Sequence, residues 1–599
     1  MVKRNTPTLL HAKTIMSQTE YDVAIIGGGP GGATTGTLLK KYAPELKVLI
    51  LEREKFPRDH IGESQLPPIA PILNEMGCWD KVEAANFPIK IGGTFRWGKS
   101  ANAWDIQFIP FSEYKPEVRP GKFEGIRRFV AFQVTRSVYD TILLRHAEEM
   151  GCEVREQTRV IEVVHEGDQI TGLQLAKGET IKARYYVDAS GHAGILRQTL
   201  GVQTHCPTRL KNMAIWDYWE NGDWKVDIGV GGTLIQIISL GFGWIWFIPL
   251  GPTRTSIGLV CPQTYFKNSG KTPAELYYEA VRSEPTITRL LQNANSSNQV
   301  NITKDWSFIS ERTAGDNWFL VGESAGFADP ILSAGLTLAH IGGKEAAYTL
   351  LALLRGEHEP EWLRKYYDLN QRRRIRQHIR FADFFYASNG QFKDLREHCQ
   401  EIAEEAGLEL TPDAAWRWLS QGGFTNEVIG QPAMAGFDLD SARQVAQMLT
   451  REEFTWEASN YNVFELNLEG AELDQVPAYE DGKIRKTSCY FRGNYRLPIT
   501  GMYGLLIQTL MYASDIETIF NDVIALLKTR FPPSQARVAF RQAIQVLEIM
   551  VGEGWVRASL DPNKPRLNLS TPSEGLTIYS SVGEVLSMDH VEAGAANNK

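Results

Sequence analysis

At 599 residues with 43% hydrophobic side chains, the chain can build large cores and calls for two to four structural units. Its net charge of −8 speaks against general nucleic-acid binding. Six scattered cysteines with no C-x-x-C pair fit a reducing compartment and offer no metal cluster, and no apolar run reaches the roughly 18 to 20 residues that span a bilayer.

Residues 1–20 lack the apolar core and cleavage site of a secretory signal, so a flexible N-terminus and a cytoplasmic protein are expected, with Met16 as an alternative start. Structure is expected to begin at Tyr21, where Val23-Ala24-Ile25-Ile26 reads as a strand feeding into Gly27, Gly29 and Gly32. The helical composition that follows, Ala33 to Tyr42, completes a strand–turn–helix unit, the context that makes glycines at these spacings a dinucleotide fingerprint. Gly27 makes the turn, Gly29 lets backbone approach a pyrophosphate, and Gly32 lets the helix pack on the strand. The phosphates then meet unpaired N–H groups at the helix start. A second strand, Val48 to Leu51, ends in Glu52, a carboxylate placed for ribose hydroxyls, slightly farther from Gly27 than the usual spacing of about 20 residues.

The next segment, Phe56 to Pro68, is a proline-rich loop containing His60-Ile61-Gly62-Glu63-Ser64. Arg58 and His60 either meet an anionic cofactor or belong to a solvated loop in which Ser64 caps the following helix. Phe87 to Gly98 reads as a strand with Lys90 between two isoleucines, unremarkable if that face is exposed. A helix with apolar residues at Val138, Ile142, Leu143 and Ala147 follows, with Ser137 as its expected N-cap. Strands come next at Glu153-Val154 and Val160–Val164, with a hairpin turning at Glu166-Gly167-Asp168. Another strand ends at Asp188, either closing the nucleotide sheet or entering an ordinary turn.

From about Arg209 to Val260, long β-type runs predict a separate antiparallel sheet inserted into the nucleotide domain. Within it, Gly243-Trp244-Ile245-Trp246-Phe247-Ile248-Pro249 has period two. Trp244, Trp246 and Ile248 share one face, and Ile245 and Phe247 the other. The two tryptophans are core or cavity wall. Trp318 to Val321 predicts a returning strand, ahead of Gly322-Glu323 and a helix from Leu336 to Leu353 whose start offers the amides of Ala334 and Gly335 to an anion. A basic helix follows at Arg372–Arg376. Residues 452–497 look aromatic-rich and irregular. Two or three helices and a β-ribbon at Gly554–Ala558 and Arg566–Leu569 then resemble a winged helix, without the basic patch of a DNA-binding module.

Four stretches together carry a family resemblance: Gly27–Gly32, His60–Ser64, Trp244–Pro249, and Phe327 through Pro330, Ser333 and Gly335. On these the chain resembles the flavin-dependent halogenases, relatives of the aromatic hydroxylases, over roughly residues 20–390. The resemblance implies an α/β fold: an FAD-binding Rossmann-like domain of the GR2, aromatic-hydroxylase-like type, an inserted antiparallel substrate sheet and a mostly helical C-terminal region. The expected bounds are 1–20 for the N-terminus and 21–390 for the core, its substrate sheet at about 80–130 and 205–310. Residues 391–582 form the C-terminal region, and 583–599 a disordered tail. FAD, as FADH2, is expected against Gly27, Gly29, Gly32, Glu52, Arg58, Ile61, Gly62, Gln133, Arg136, Asp188, Gly322, Glu323 and Pro330. Position 323 departs from the usual Gly-Asp of related flavoproteins.

The implied chemistry starts with reduced flavin from a separate reductase, which meets O2 to give a C4a-hydroperoxide. Chloride or bromide at Ser333, Ala334 and Gly335 becomes hypohalous acid, Trp244 and Trp246 keep substrate from the flavin, and the oxidant is relayed to Lys90. Tryptophan-type members carry a glutamate just before that serine; here the position is Leu332. The resemblance is therefore to the phenol and pyrrole type, acting on a small aromatic, free or tethered to a carrier protein, in secondary-metabolite biosynthesis. The alternative is an FAD-dependent aromatic hydroxylase. No metal, nucleic-acid or membrane partner is implied.

Overall fold

Strand Glu20–Ile26 is apolar on both faces, and Val23, Ala24 and Ile25 are fully buried, as expected for a strand covered on either side. In the computed structural model this strand is central to the nucleotide sheet. It runs parallel to Val48–Leu51 on one side and to Thr180–Asp188 on the other, with Ile26 opposite Asp188. Glu153–Arg155 extends the sheet parallel beyond Val48–Leu51, and Trp318–Leu320 joins parallel beside Thr180–Asp188. The antiparallel pair Val160–Glu166 and Gln169–Leu175 completes seven strands. The structure describes residues 20–388 apart from 98–102, 109–113, 115–117, 209, 225–231 and 305–306, residues 456–566 apart from 494 and 531–532, and residues 577–579. Residues 1–19 of the expected N-terminus, all of the 391–455 stretch and the 583–599 tail lie outside the described residues.

Three helices clasp one face of this sheet: Pro30–Tyr42, Arg136–Glu149 and Ala334–Arg355. The first and third approach so closely that a side chain on Gly343 would run into the Gly31 carbonyl. Thr35 donates to the Gly343 carbonyl at 3.2 Å across the same contact. His340 ties all three helices together, bonded to Thr34 at 2.9 Å and to Tyr139 at 2.8 Å. Helix Arg136–Glu149 starts earlier than its sequence suggests. Thr135, not Ser137, is the N-cap, and no side chain caps it.

Among the described residues the second sheet has ten strands and is not wholly antiparallel. Asn212–Glu220, Arg254–Pro262, Trp244–Pro249 and Gly232–Ser239 alternate in direction as expected. Gly232–Ser239, however, runs parallel to Ile89–Arg96, placing Thr233 opposite Lys90. This parallel seam fuses two distant chain segments into a single sheet, because a long crossover lets the chain return in the same direction. Thr577–Tyr579 pairs with Trp104–Gln107 at the far edge.

Residues 456–566 hold helices Gly501–Leu510, Ile516–Arg530 and Pro533–Gly552. Val556–Ser559 finds its antiparallel partner upstream, in Val463–Leu466; of the downstream ribbon expected at Arg566–Leu569, residues 567–569 lie outside the described set. The stretch read as irregular contains a three-stranded antiparallel sheet, Glu472–Glu480, Lys483–Arg492 and Tyr495–Pro498. Its first turn is Asp481-Gly482, with φ of 47° and 72°, the backbone a two-residue hairpin demands. No helix of the described residues is long and apolar enough to cross a membrane.

Candidate active site

The three glycines of the first turn have separate steric reasons. Gly27 has φ of 104°, and a side chain there would collide with the Ala189 carbonyl. A side chain on Gly32 would overlap the Gly27 carbonyl oxygen, so helix and strand pack only without it. Gly29 differs. A Cβ there meets only the Arg58 guanidinium, at 3.4 Å, because the space beside it is a cavity of about 1110 Å3.

That cavity runs from the nucleotide turn to the second sheet. Gly27, Gly29, Glu52, Arg58, Ile61, Gly62, Arg136, Gly322, Glu323, Pro330, Ser333, Ala334 and Gly335 all line it, together with Trp244 and Trp246. The Glu52 carboxylate accepts from the backbone N–H of Gly28 and of Glu54, both at 2.8 Å, which fixes it at the sheet's end. Asp140, fully buried, takes two bonds from Arg136 at 2.8 and 2.9 Å and pairs with Arg58 at 3.3 Å. Arg136 also donates to the carbonyls of Ile61 at 2.7 Å and Gly62 at 3.2 Å, holding the loop over the cavity. Burial pushes the Glu323 carboxyl up, while Arg136 and His192 pull it down.

Three of the residues predicted to hold the cofactor are placed elsewhere. Gly32 is behind the turn. Asp188 is fully buried, and its carboxylate accepts from Ser190 N at 3.0 Å and Leu196 N at 2.7 Å, so it shapes the turn rather than facing the cavity. Gln133 is buried with both polar side-chain atoms unpartnered, off the cavity wall.

At the other end, the period-two strand sorts its residues as the sequence requires. Trp244, Trp246 and Ile248 face the cavity, whereas Ile245 and Phe247 join a core with Ile257, Leu259 and Tyr277. Each indole is pinned. Trp244 Nε1 donates to Tyr386 at 2.6 Å, and Tyr386 donates in turn to Asp329 at 3.1 Å. Trp246 Nε1 donates to Ser256 at 3.2 Å, and its ring lies where a side chain on Gly258 would be. Ser333 has φ of 58°, unusual for a residue with a side chain, and leads into the first turn of helix Ala334–Arg355, whose leading N–H groups lack intrahelical partners.

Lys90 is not on an exposed sheet face. It is 2% exposed, its Nζ donates to the Gln65 carbonyl at 2.9 Å, and the Phe108 ring lies 5.4 Å away. Burial lowers its pKa to about 7. Lys90 does not line the cavity; residues Glu63 and Ser64 do, and Gln65 stands between them and the amine. The sequence reading passed over Glu63, Tyr218, Tyr386 and Gly258. Glu63 alone had a signal, its place in the His60–Ser64 motif.

A glycine cradle open to a large cavity, a carboxylate at the end of the second strand, and two arginines fixed beside them suit a flavin dinucleotide. They define an FAD-binding protein, and residues 20–382 match the FAD binding domain family. The chain belongs to the flavin-dependent halogenases within that class. It is 30% identical over 388 residues to the 1H-pyrrole-2-carbonyl-(peptidyl-carrier protein) chlorinase of Pseudomonas fluorescens, an alignment covering 62% of this chain and 85% of that protein. It is 32% identical over 343 residues to the tryptophan 2-halogenase of Chondromyces crocatus, covering 56% and 62%. Among solved structures, the myxobacterial chondrochloren halogenase CndH superposes with a TM-score of 0.55 at 28% identity, over 72% of this chain and 97% of that one. The halogenase CmlS shares the fold over 94% of this chain, with a TM-score of 0.67 at 24% identity.

Proposed function

We propose that this halogenase chlorinates or brominates an electron-rich, phenolic ring, free or tethered to a carrier protein, using FADH2 from a separate reductase. Bound and reduced, FAD supplies the electrons with which O2 oxidises halide to hypohalous acid. Gly27, Gly29, Glu52, Arg58, Arg136 and Glu323 hold it, with Ser333, Ala334 and Gly335 receiving halide at the helix start. Trp244 and Trp246 form the barrier that keeps the ring away from the flavin.

The observation that carries this reading is Lys90: a buried amine, near neutrality, behind the wall of the flavin cavity. As ammonium it hydrogen-bonds the hypohalous acid. As amine it gives R–NHX and water from R–NH2 and HOX, and R–NHX then transfers halogen to the ring, returning R–NH2 and ArX. A ring with its own phenolate needs no extra carboxylate to take its proton, consistent with Leu332 ahead of Ser333.

The test uses the purified protein with FAD, a flavin reductase, chloride or bromide, and a panel of phenols and pyrroles. Wild type is expected to yield halogenated phenol. Lys90→Ala is expected to bind FAD normally and yield none. Normal product from Lys90→Ala, or loss of its FAD, overturns the role given to Lys90.

A further inference from the structure

Halide oxidation leaves a charge to be dealt with. The balance X⁻ + O2 + FADH2 → XO⁻ + FAD + H2O closes in atoms and electrons but ends on the anion. Hypohalite must gain a proton before it can cross buried protein, since moving an unpaired anion out of water is costly. Most of the wall at this end of the cavity is apolar: Ala214, Trp216, Ile235 and Ile237 stand beside the two indoles.

One carboxyl is joined to that wall. Glu63 lines the cavity, is 3% exposed, and accepts from the Tyr218 hydroxyl at 2.9 Å through Oε1. Its Oε2 is shielded from solvent and takes no close, well-aligned hydrogen bond. Tyr218 and Ser256 sit opposite each other on neighbouring strands, and the Ser256 hydroxyl, which takes the Trp246 N–H, stands beside the same carboxyl. Arg254 lies over the Tyr218 ring at 3.9 Å, and with Arg136 it supplies the positive charge facing Glu63. On the far side the polar character continues toward Lys90. Ser64 Oγ and both polar atoms of Gln133 are buried without partners, Ser64 and Gln133 are bridged through their backbones, and the Gln65 carbonyl holds the lysine. Buried polar atoms are nearly always satisfied, so such a run between two reactive places marks a passage for a polar species.

We propose that Glu63 is a catalytic proton donor, which converts the nascent hypohalite to neutral hypohalous acid at the entrance to the seam leading to Lys90. The step is Glu–COOH + XO⁻ → Glu–COO⁻ + HOX, after which the carboxylate regains its proton from water. A donor must hold its proton near neutral pH. Burial raises Glu63 to about 7, against the opposing pull of Ser256, Tyr218, Arg254 and Arg136.

This rests on the halogenase reading, and the experiment separates the two. FAD-loaded wild type and Glu63→Gln are reduced chemically and mixed with O2 and bromide, with taurine present to trap hypohalous acid and no aromatic substrate. Trapped oxidant and released H2O2 are measured from acid to alkaline pH. Wild type is expected to lose trapped oxidant to H2O2 as pH rises through about 7, where its acid form disappears. Glu63→Gln is expected to trap at least tenfold less below that point, with no pH dependence and full flavin occupancy. Tyr218→Phe removes a bond that favours the carboxylate, so its fall shifts to higher pH. Infrared spectra supply a readout independent of turnover: a protonated carboxyl band in wild type, bleaching near neutral pH and absent from Glu63→Gln. A wild type that releases only H2O2 overturns the halogenase reading and this inference with it. A trapping wild type matched by Glu63→Gln in yield and pH profile, or lacking the infrared band, overturns the inference alone.

Discussion

At the scale of single residues, Lys90 shows function set against stability. Its pKa falls from 10.5 to about 7 because burial penalises the ammonium. Between those values the unfolded chain holds a proton that the folded one lacks, so stability rises with pH across the window. The penalty is complete below about pH 7 and vanishes above the unfolded value. At about 1.4 kcal/mol per unit its upper bound is on the order of 5 kcal/mol. Lys90→Met should therefore be more stable than wild type in urea at about pH 6.5 and indistinguishable at about pH 11, while making no halogenated product. Equal unfolding midpoints at the lower pH would remove the case for a strained lysine. The glycines separate in the same residue-by-residue way. Gly29→Val points into open cavity, so it should lose FAD yet melt at the temperature of the FAD-free wild type. Gly32→Ala strikes a backbone carbonyl and should lower the melting temperature, by a few kcal/mol in stability terms. Calorimetry beside flavin absorbance checks both.

At the scale of elements, strand Trp244–Pro249 was legible because period-two alternation is a property of the strand itself. Where its tryptophans dock was not, since Tyr386 lies 142 residues from Trp244 and Ser256 belongs to the next strand. Gly258 illustrates the gap: a glycine in a strand carries no signal until the Trp246 ring is found over it. That contact yields a paired prediction. Trp246→Ala removes the barrier, and Gly258→Ala displaces the same ring without touching its chemistry. Both should release severalfold more H2O2 per halogenated product than wild type, with FAD still bound. Coupling unchanged in both variants, measured as product against peroxide, would reduce Trp246 to a packing residue. The parallel seam between Ile89–Arg96 and Gly232–Ser239 was equally hidden, because strand partners so far apart in sequence are chosen by packing and not by local pattern.

At the scale of the whole molecule, the opening nucleotide unit was readable because strand, turn, helix and second strand follow one another within 32 residues, from Glu20 to Leu51 by way of the glycines. The burial of Lys90 was not, since a lysine between isoleucines reads the same on an open sheet face as on one closed by Gln65 and Phe108. The C-terminal sheet was missed for a different reason: the aromatic content of 452–497 drew attention from Asp481-Gly482, a strong hairpin signal. This hairpin tip is where the C-terminal region grips the flavin-binding half. Arg355 donates to the Gly482 carbonyl at 2.7 Å and to the Tyr42 carbonyl at 2.7 Å, and His358 bonds the Ile484 carbonyl at 2.7 Å. Gly482 has φ of 72°, and any side chain on it would overlap the Tyr42 ring at the end of the nucleotide helix. Gly482→Val combines backbone strain with that clash, so it should loosen the grip at its centre. Among the described residues the cavity is lined by those between Ile26 and Ala339, so FAD occupancy should persist. Hydrogen exchange should then speed up at least tenfold across Glu472–Pro498 and stay unchanged in Glu20–Ile26. Equal acceleration in both strands, with flavin lost, would mean that the two regions unfold as one cooperative unit.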